Sequence, residues 1–295
     1  MAQSIPKEMF NVMIKKYLEG VLSKTNGESE LEVKFGTRNI KTITKDDYEN
    51  VIQKLISTGF TIVNENIYTL KIQSEFIDPN TGIVKLSNIR TEINGLNDIQ
   101  RYCKTDRLEG INYKFLQKSI ATDGAETVKP INFDDYNFRI SYQKEKIIPT
   151  TSQTGNTIVS TWLDNKKVFR YIQRTSLIHP NYPVIIDISI VKESHKKDGK
   201  MIPEYSFLAS HVTENTPKYE VEIECNNKLV GPGTKFNNHI ILADILRSVI
   251  KTILSGLQGT NFPVSYDDII NTQKDYYYLL YNICYLKNLF FFFQT

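Results

Sequence analysis

Five glutamates and a lysine occupy alternate positions in two short segments, SELEVKFG (29–36) and KYEVEIEC (218–225). In an extended strand successive side chains point to opposite sides. Glu30, Glu32 and Lys34 therefore share one face, opposite Leu31, Val33 and Phe35. Glu220, Glu222 and Glu224 share another, opposite Tyr219, Val221 and Ile223. Same-face neighbours lie roughly 6.6 Å apart, and at an effective dielectric of about 20 each carboxylate pair repels by ~2.5 kcal/mol. Such faces call for a positive partner. A hard divalent cation with oxygen ligands is the simplest one, and a polyphosphate carried with that cation is the substrate class that follows.

The elements that must position these groups are legible in the same alternation. In NIRTEI (88–93) Arg90 and Glu92 oppose Ile89 and Ile93, and in IIDISIVK (185–192) Asp187 and Ser189 oppose Ile186, Ile188 and Ile190. NFRISYQKE (137–145) places Arg139, Ser141, Gln143 and Glu145 on one face. From Phe60 to Glu224 the chain reads as strands broken by turn signals at Asp78–Gly82, Asn94-Gly95, Asp123-Gly124 and Asp198-Gly199, a meander of antiparallel strands. A flat sheet wetted on one side would alternate in this way. A closed barrel of at least eight strands would instead gather the charges in a lumen and cover its apolar outside with helices.

Four helices are expected. One opens at Ser4 and Pro6 and repeats Phe10, Ile14, Tyr17, Leu18 and Val21 at helical spacing. A second runs from Thr44, a cap with Asp46 and Asp47 in its first turn, through Ser57 to a stop at Gly59. A third spans 238–257, and Ser265 with Asp268 forms an acidic variant of a capping box for a fourth.

Composition excludes several classes. Lys plus Arg 36 against Asp plus Glu 33, a formal charge of +3, neither demands nor forbids a nucleic-acid partner. Cys103, Cys225 and Cys284 are an odd number at wide spacing, which fits a reducing compartment and no thiolate zinc site. The four histidines have no metal-ligand spacing. The N-terminus lacks the apolar run of a secretory signal. Residues 276–293 form an apolar, tyrosine-rich tail, but Asn282, Lys287 and Asn288 argue for a covered helix or interface rather than a stable membrane span.

ELEVKFG near the start and YEVEIE near the end resemble the paired glutamate strands of the metal-dependent tunnel RNA 5′-triphosphatases, and FRYIQRTSL followed by VIIDISIVKES is similar to members from large DNA viruses. The resemblance spans roughly residues 28–225. It implies an α+β fold, a closed antiparallel eight-stranded tunnel with a charged lumen and helices outside. It also implies hydrolysis of the γ-phosphate of 5′-triphosphate RNA, the first step of mRNA capping, with Mn2+ or Mg2+. By position, Glu30, Glu32 and Glu224 match metal ligands, Glu222 and Asp187 match groups holding metal-bound water, and Glu145 matches the carboxylate that orients the attacking water. Arg90, Lys104 and Arg174 match phosphate-gripping bases, joined by Lys34 and Arg170, while Glu220 matches a residue that orders the basic wall. For the base at Lys104, Arg101 and Arg107 are alternatives. Ile172 departs from the pattern, since relatives carry lysine there, and Arg170 on the same face is the expected substitute.

The expected organisation is a tunnel domain over 1–258 and an aromatic helical extension over 259–295. Expected partners are triphosphate-ended RNA and a guanylyltransferase or methyltransferase of a capping apparatus. The Asn-, Ile-, Lys- and Tyr-rich composition is associated with an A+T-rich genome, and the expected location is a cytoplasmic viral factory or virion. The alternatives are a tripolyphosphatase or nucleoside triphosphatase of the same superfamily, and a non-catalytic scaffold binding a capping partner. Lys196-Lys197-Asp198-Gly199 fits the short KxDG pattern of nucleotidyltransferases but reads as a hairpin turn.

Overall fold

The computed structural model describes residues 4–23, 27–38 and 40–292, with side chains described from residue 8 to 281 apart from 23–26 and 39. Eight strands form the frame: β1 (Glu28–Phe35), β2 (Thr61–Ile77), β3 (Ile89–Asn94), β4 (Tyr113–Ile120), β5 (Phe138–Ile148), β6 (Lys167–His179), β7 (Tyr182–Glu193) and β8 (Lys218–Cys225). Around the ring the order is β1-β8-β7-β6-β2-β3-β4-β5, every neighbouring pair antiparallel. β1 also pairs along its whole length with β5, from Glu28 opposite Glu145 to Phe35 opposite Phe138, and this closes the barrel. Short strands at 84–86 and 131–133 extend β2 and β5.

Register follows from burial. The outward residues Leu31, Val33, Phe138, Ile140, Ile186, Ile188, Val221 and Ile223 are buried in one core with Phe10, Ile14, Tyr17, Val51, Leu55, Leu246, Val249 and Ile253 of three covering helices. Burying each such side chain contributes about 1.5–3 kcal/mol, and a one-residue slip of any strand would turn all of its apolar side chains into the lumen. A second core, on the far side, holds Leu70, Ile72, Ile93, Phe115 and Phe169 beneath Ile99, Tyr102 and Trp162.

Six helices lie outside: α1 (Ser4–Ser23), α2 (Lys45–Ser57), α3 (Leu96–Thr105), α4 (Gln153–Ser160), α5 (His239–Gln258) and α6 (Tyr266–Phe292). At α2 the Thr44 hydroxyl accepts from Asp47 N while Asp47 Oδ2 accepts from Thr44 N, a complete capping box. Ser265 caps α6, its Oγ accepting from Asp268 N and donating to Asp268 Oδ2.

Two helices depart from the strand meander expected between 60 and 224. Asn94-Gly95 is not a hairpin turn. Gly95, at φ 89°, stands at the start of α3, whose Ile99 and Tyr102 face the second core three residues apart. α4 is capped by Ser152, which accepts from Gly155 N. The Asp198-Gly199 turn does close a hairpin, Lys196–Lys197 against Lys200–Met201.

Gly256 on α5 packs directly against Val51 of α2. A Cβ there would sit 2.9 Å from Val51 Cα and 3.2 Å from Val51 Cγ2. Gly256→Ala is expected to cost roughly 1–3 kcal/mol through forced separation of the two helices. Urea unfolding checks this.

Along α6, Tyr276 to Tyr281 stay exposed. Residues 276–292 of the aromatic tail continue this helix, and 293–295 lie outside the described residues. Among the described residues no helix is long and apolar enough to cross a membrane.

Candidate active site

One wall of the lumen is acidic. The ladder sets Glu32 opposite Glu224 and Lys34 opposite Glu222 across β1 and β8, then Glu222 opposite Asp187 across β8 and β7. The first and last barrel strands thus meet side by side, bringing residues nearly two hundred positions apart into one cluster. Lys34 Nζ bridges Glu222 at 2.8 Å and Glu32 at 3.1 Å. Arg174 of β6 reaches Asp187 at 2.7 Å, Ser189 Oγ at 3.2 Å and Glu222 at 3.5 Å, and Ser176 Oγ donates to Asp187 at 2.6 Å.

Glu224 has no hydrogen bond or ion pair among the described residues. Burial, and then the charges of Glu30 and Asp187, push its pKa up to about 7. Burial and the charge of Glu222 likewise push Glu32 upward. Glu222 goes the other way: against burial, Lys34 and Arg174 hold it at about 2.

The facing wall, on β2, β3 and β4, is basic. Glu92 accepts from Arg90 at 2.7 Å and pairs with Lys114 at 3.2 Å and Lys71 at 3.5 Å, so three cations share one carboxylate. Arg90 Nη2 also donates to Glu145 at 2.7 Å, and Lys118 reaches Glu30 at 2.6 Å. Burial, then the neighbouring Arg90 guanidinium, brings Lys71 down to about 8. Buried positive charge in excess of its counterions is a setting for an anionic ligand.

The sequence candidates Glu30, Glu32, Lys34, Arg90, Glu145, Arg170, Arg174, Asp187, Glu220, Glu222 and Glu224 all lie on barrel strands, on the alternating set that faces the lumen. Lys104 does not. It is exposed on α3, which packs on the outside through Ile99 and Tyr102; Arg101 on the same helix and Arg107 just past its end are exposed too. Its place on the basic wall is taken by Lys71, Lys114 and Lys118. The signal for the last two was available in YKFLQKSI, where Lys114, Leu116 and Lys118 alternate with buried Phe115. Ile172 faces the lumen opposite Val191 and Thr69. Arg170 lies on the same lumen face, its guanidinium paired with Glu220 at 2.6 Å and Glu193 at 3.2 Å.

The donor set suits a hard dication. Glu30, Glu32 and Glu224 are all carboxylates, Glu30 Oε2 is buried without a hydrogen-bond partner, and Glu224 is unpaired. They line one wall without forming a closed chelate: among the described residues no three acidic, histidine or cysteine side chains are arranged to hold an ion. Rotation of these side chains about fixed backbone positions would complete the site.

At one mouth Glu193 gathers Lys218 at 2.6 Å, Lys196 at 2.7 Å and Arg170. Burial opposes its ionisation, yet these cations hold it at about 2. A depressed carboxyl pKa contributes stability that is complete above the unfolded value of about 4.3 and fades as pH falls towards 2. Lys196 and Lys218 are 37% and 51% exposed, so screening reduces the effect. Glu193→Gln is expected to cost on the order of 1–2 kcal/mol at neutral pH, and the gap from wild type should close as pH falls from about 4.3. Paired urea titrations at neutral and acidic pH read it out.

No family model matches the chain, and no curated protein matches it. Among solved structures it is similar to the Mimivirus capping enzyme triphosphatase, at 20% identity over 82% of this chain and 97% of that one, with a TM-score of 0.44. It is also similar to the S. pombe RNA triphosphatase Pct1, at 12% identity over 81% and 91%, with a TM-score of 0.45. The architecture implied by the sequence, a closed eight-stranded antiparallel barrel with a charged lumen and helices outside, is the one this chain adopts.

Proposed function

We propose that this protein is a metal-dependent phosphoric anhydride hydrolase that removes the γ-phosphate from 5′-triphosphate RNA, the opening step of mRNA capping. The observation that carries this reading is the pairing of two opposed walls in one closed lumen. One presents carboxylates with unpartnered oxygens, the other presents cations that outnumber their carboxylate partners.

In-line attack on a phosphoric anhydride spreads negative charge over the equatorial oxygens, so positioning and electrostatics supply most of the acceleration and no protein nucleophile is needed. Glu30, Glu32 and Glu224 would hold Mn2+ or Mg2+, which when bound supplies Lewis-acid neutralisation of phosphate charge. Asp187 and Glu222, fixed by Ser176, Lys34 and Arg174, would stand beside such an ion and could accept hydrogen bonds from water held there. Arg90, Arg174, Lys71, Lys114 and Lys118 bind the phosphate oxygens. Each has further N–H donors to offer substrate oxygens while it keeps its carboxylate contact. Glu145, held by Arg90, orients the attacking water and takes its proton. Lys34 keeps Glu222 and Glu32 apart in charge, and Arg170 with Glu220 ties the acidic wall to β6.

The test is metal-dependent release of labelled γ-phosphate from triphosphate-ended RNA, with inorganic tripolyphosphate and ATP alongside. RNA hydrolysis lost in the Glu30→Ala, Glu224→Ala double variant supports the reading. Tripolyphosphate hydrolysis without RNA hydrolysis favours a polyphosphatase, and no hydrolysis of any triphosphate favours a binding scaffold.

A further inference from the structure

β1 and β8 pair over only three positions, from Glu32–Glu224 to Lys34–Glu222. Beyond Lys34 the seam opens. β1 ends at Phe35, and Gly36, at φ 72°, turns the chain away so that its N–H donates to Asn137 O rather than continuing the ladder to β8. A cavity of about 560 Å³ fills the gap, a size typical of small-ligand sites. Its lining comes from both faces of β8: the lumen-facing Lys218, Glu220 and Glu222, and the outward-facing Tyr219 and Val221. Lys34 and the hydroxyl-bearing Thr37, Thr42 and Thr44 complete it. The space runs along the edge of β8 that β1 leaves unpaired, so residues of both alternating sets border it.

On the other side of β1, Arg139 stands directly opposite Lys34 in the ladder. Like charges in that relation repel, and Arg139 Nε is buried with no acceptor. No ion pair of Arg139 exists among the described residues. This guanidinium therefore lacks an anion on the lumen side, across β1 from the opening.

We infer that the β1–β8 opening is a side port that holds the polynucleotide following the triphosphate, with Arg139 engaging a backbone phosphate on the lumen side of β1, Lys218 engaging another at the opening, and Tyr219 offering a ring to a base. This rests on the reading of the lumen as a site for 5′-triphosphate RNA. Cations interleaved with an aromatic wall suit a single strand without regard to sequence. A port of this kind would separate RNA from inorganic polyphosphate, which needs only the lumen.

The test uses the full chain and two variants outside the proposed catalytic set, Arg139→Ala and Thr42→Trp, the latter narrowing the port. Fluorescence anisotropy measures binding of a single-stranded oligoribonucleotide carrying a 5′-hydroxyl, so that no triphosphate contributes. Both variants are expected to weaken binding about tenfold, Arg139→Ala also reducing the salt slope by ~0.7, the value for one lost phosphate contact on a single strand. Tripolyphosphate hydrolysis should stay within about twofold of wild type in Thr42→Trp, which removes no charge from the lumen, and should fall by less than oligonucleotide binding in Arg139→Ala. Oligonucleotide affinity unchanged in both variants overturns the port while leaving the hydrolase reading intact. Equal loss of oligonucleotide binding and tripolyphosphate hydrolysis also overturns it, by making these residues part of the lumen chemistry. If wild type hydrolyses no triphosphate, the hydrolase reading fails, and the port is then judged on oligonucleotide binding alone.

Discussion

Glu224→Gln should nearly abolish metal-dependent phosphate release and, in the presence of chelator, raise the melting temperature. The two effects have one cause. Glu224 is a buried carboxylate with no ion pair, beside Glu30 and Asp187, so without a cation its charge opposes folding. Glutamine keeps the shape and removes the charge, and stabilising replacements of this kind at functional sites are commonly worth about 0.5–2 kcal/mol. The same change removes a metal-binding oxygen with its charge. Lewis-acid assistance of several kcal/mol corresponds to a loss of about 10²–10³-fold in rate. Thermal unfolding with chelator and a phosphate-release assay on one preparation measure both. Activity within a few-fold of wild type would remove Glu224 from the metal site, and a lowered melting temperature would show that its charge is satisfied in the folded protein.

Arg174→Ala should have the largest effect on stability. Three of its nitrogens are used at once, towards Asp187, Ser189 and Glu222, and both carboxylates are about nine-tenths buried or more. Truncation leaves them facing each other across β7 and β8 with only Ser176 and Lys34 as partners. Breaking a buried pair from one side costs about 3–5 kcal/mol. At 2–4 °C per kcal/mol for a chain of this size, the melting temperature should fall by roughly 6–20 °C. Arg174→Lys should recover only part of this, because an ammonium cannot reproduce the planar fork. Hydrolysis should remain far below wild type in both, since the same guanidinium is assigned to a phosphate. Full rescue of stability by lysine would show that charge alone matters at this position.

Much of this arrangement is legible in the sequence because a strand has a period of two and the lumen is charged. Glu30, Glu32, Glu222 and Glu224 identify themselves by alternating with Leu31, Val33, Val221 and Ile223, and closure of the barrel follows from needing two covered faces. Lys104 was beyond that logic. Nothing in YCKTDR alternates, and the decisive fact is that Ile99 and Tyr102 are spaced for a helix started by Gly95. Lys71 was hidden for a different reason. It sits in a seventeen-residue strand whose early positions are exposed on both faces, so period two separates inside from outside only around Leu70 and Ile72. The seam between β1 and β8 is invisible locally, because it depends on where Gly36 turns the chain relative to a strand far downstream.

The central claim is that carboxylates from the first and last barrel strands converge to hold a dication. Titration of Mn2+ against the protein, with free ion followed by paramagnetic resonance, tests it most directly. Wild type should bind the ion, and the Glu30→Ala, Glu224→Ala double variant, still folded by circular dichroism, should not. Equal binding by the two proteins would contradict the account.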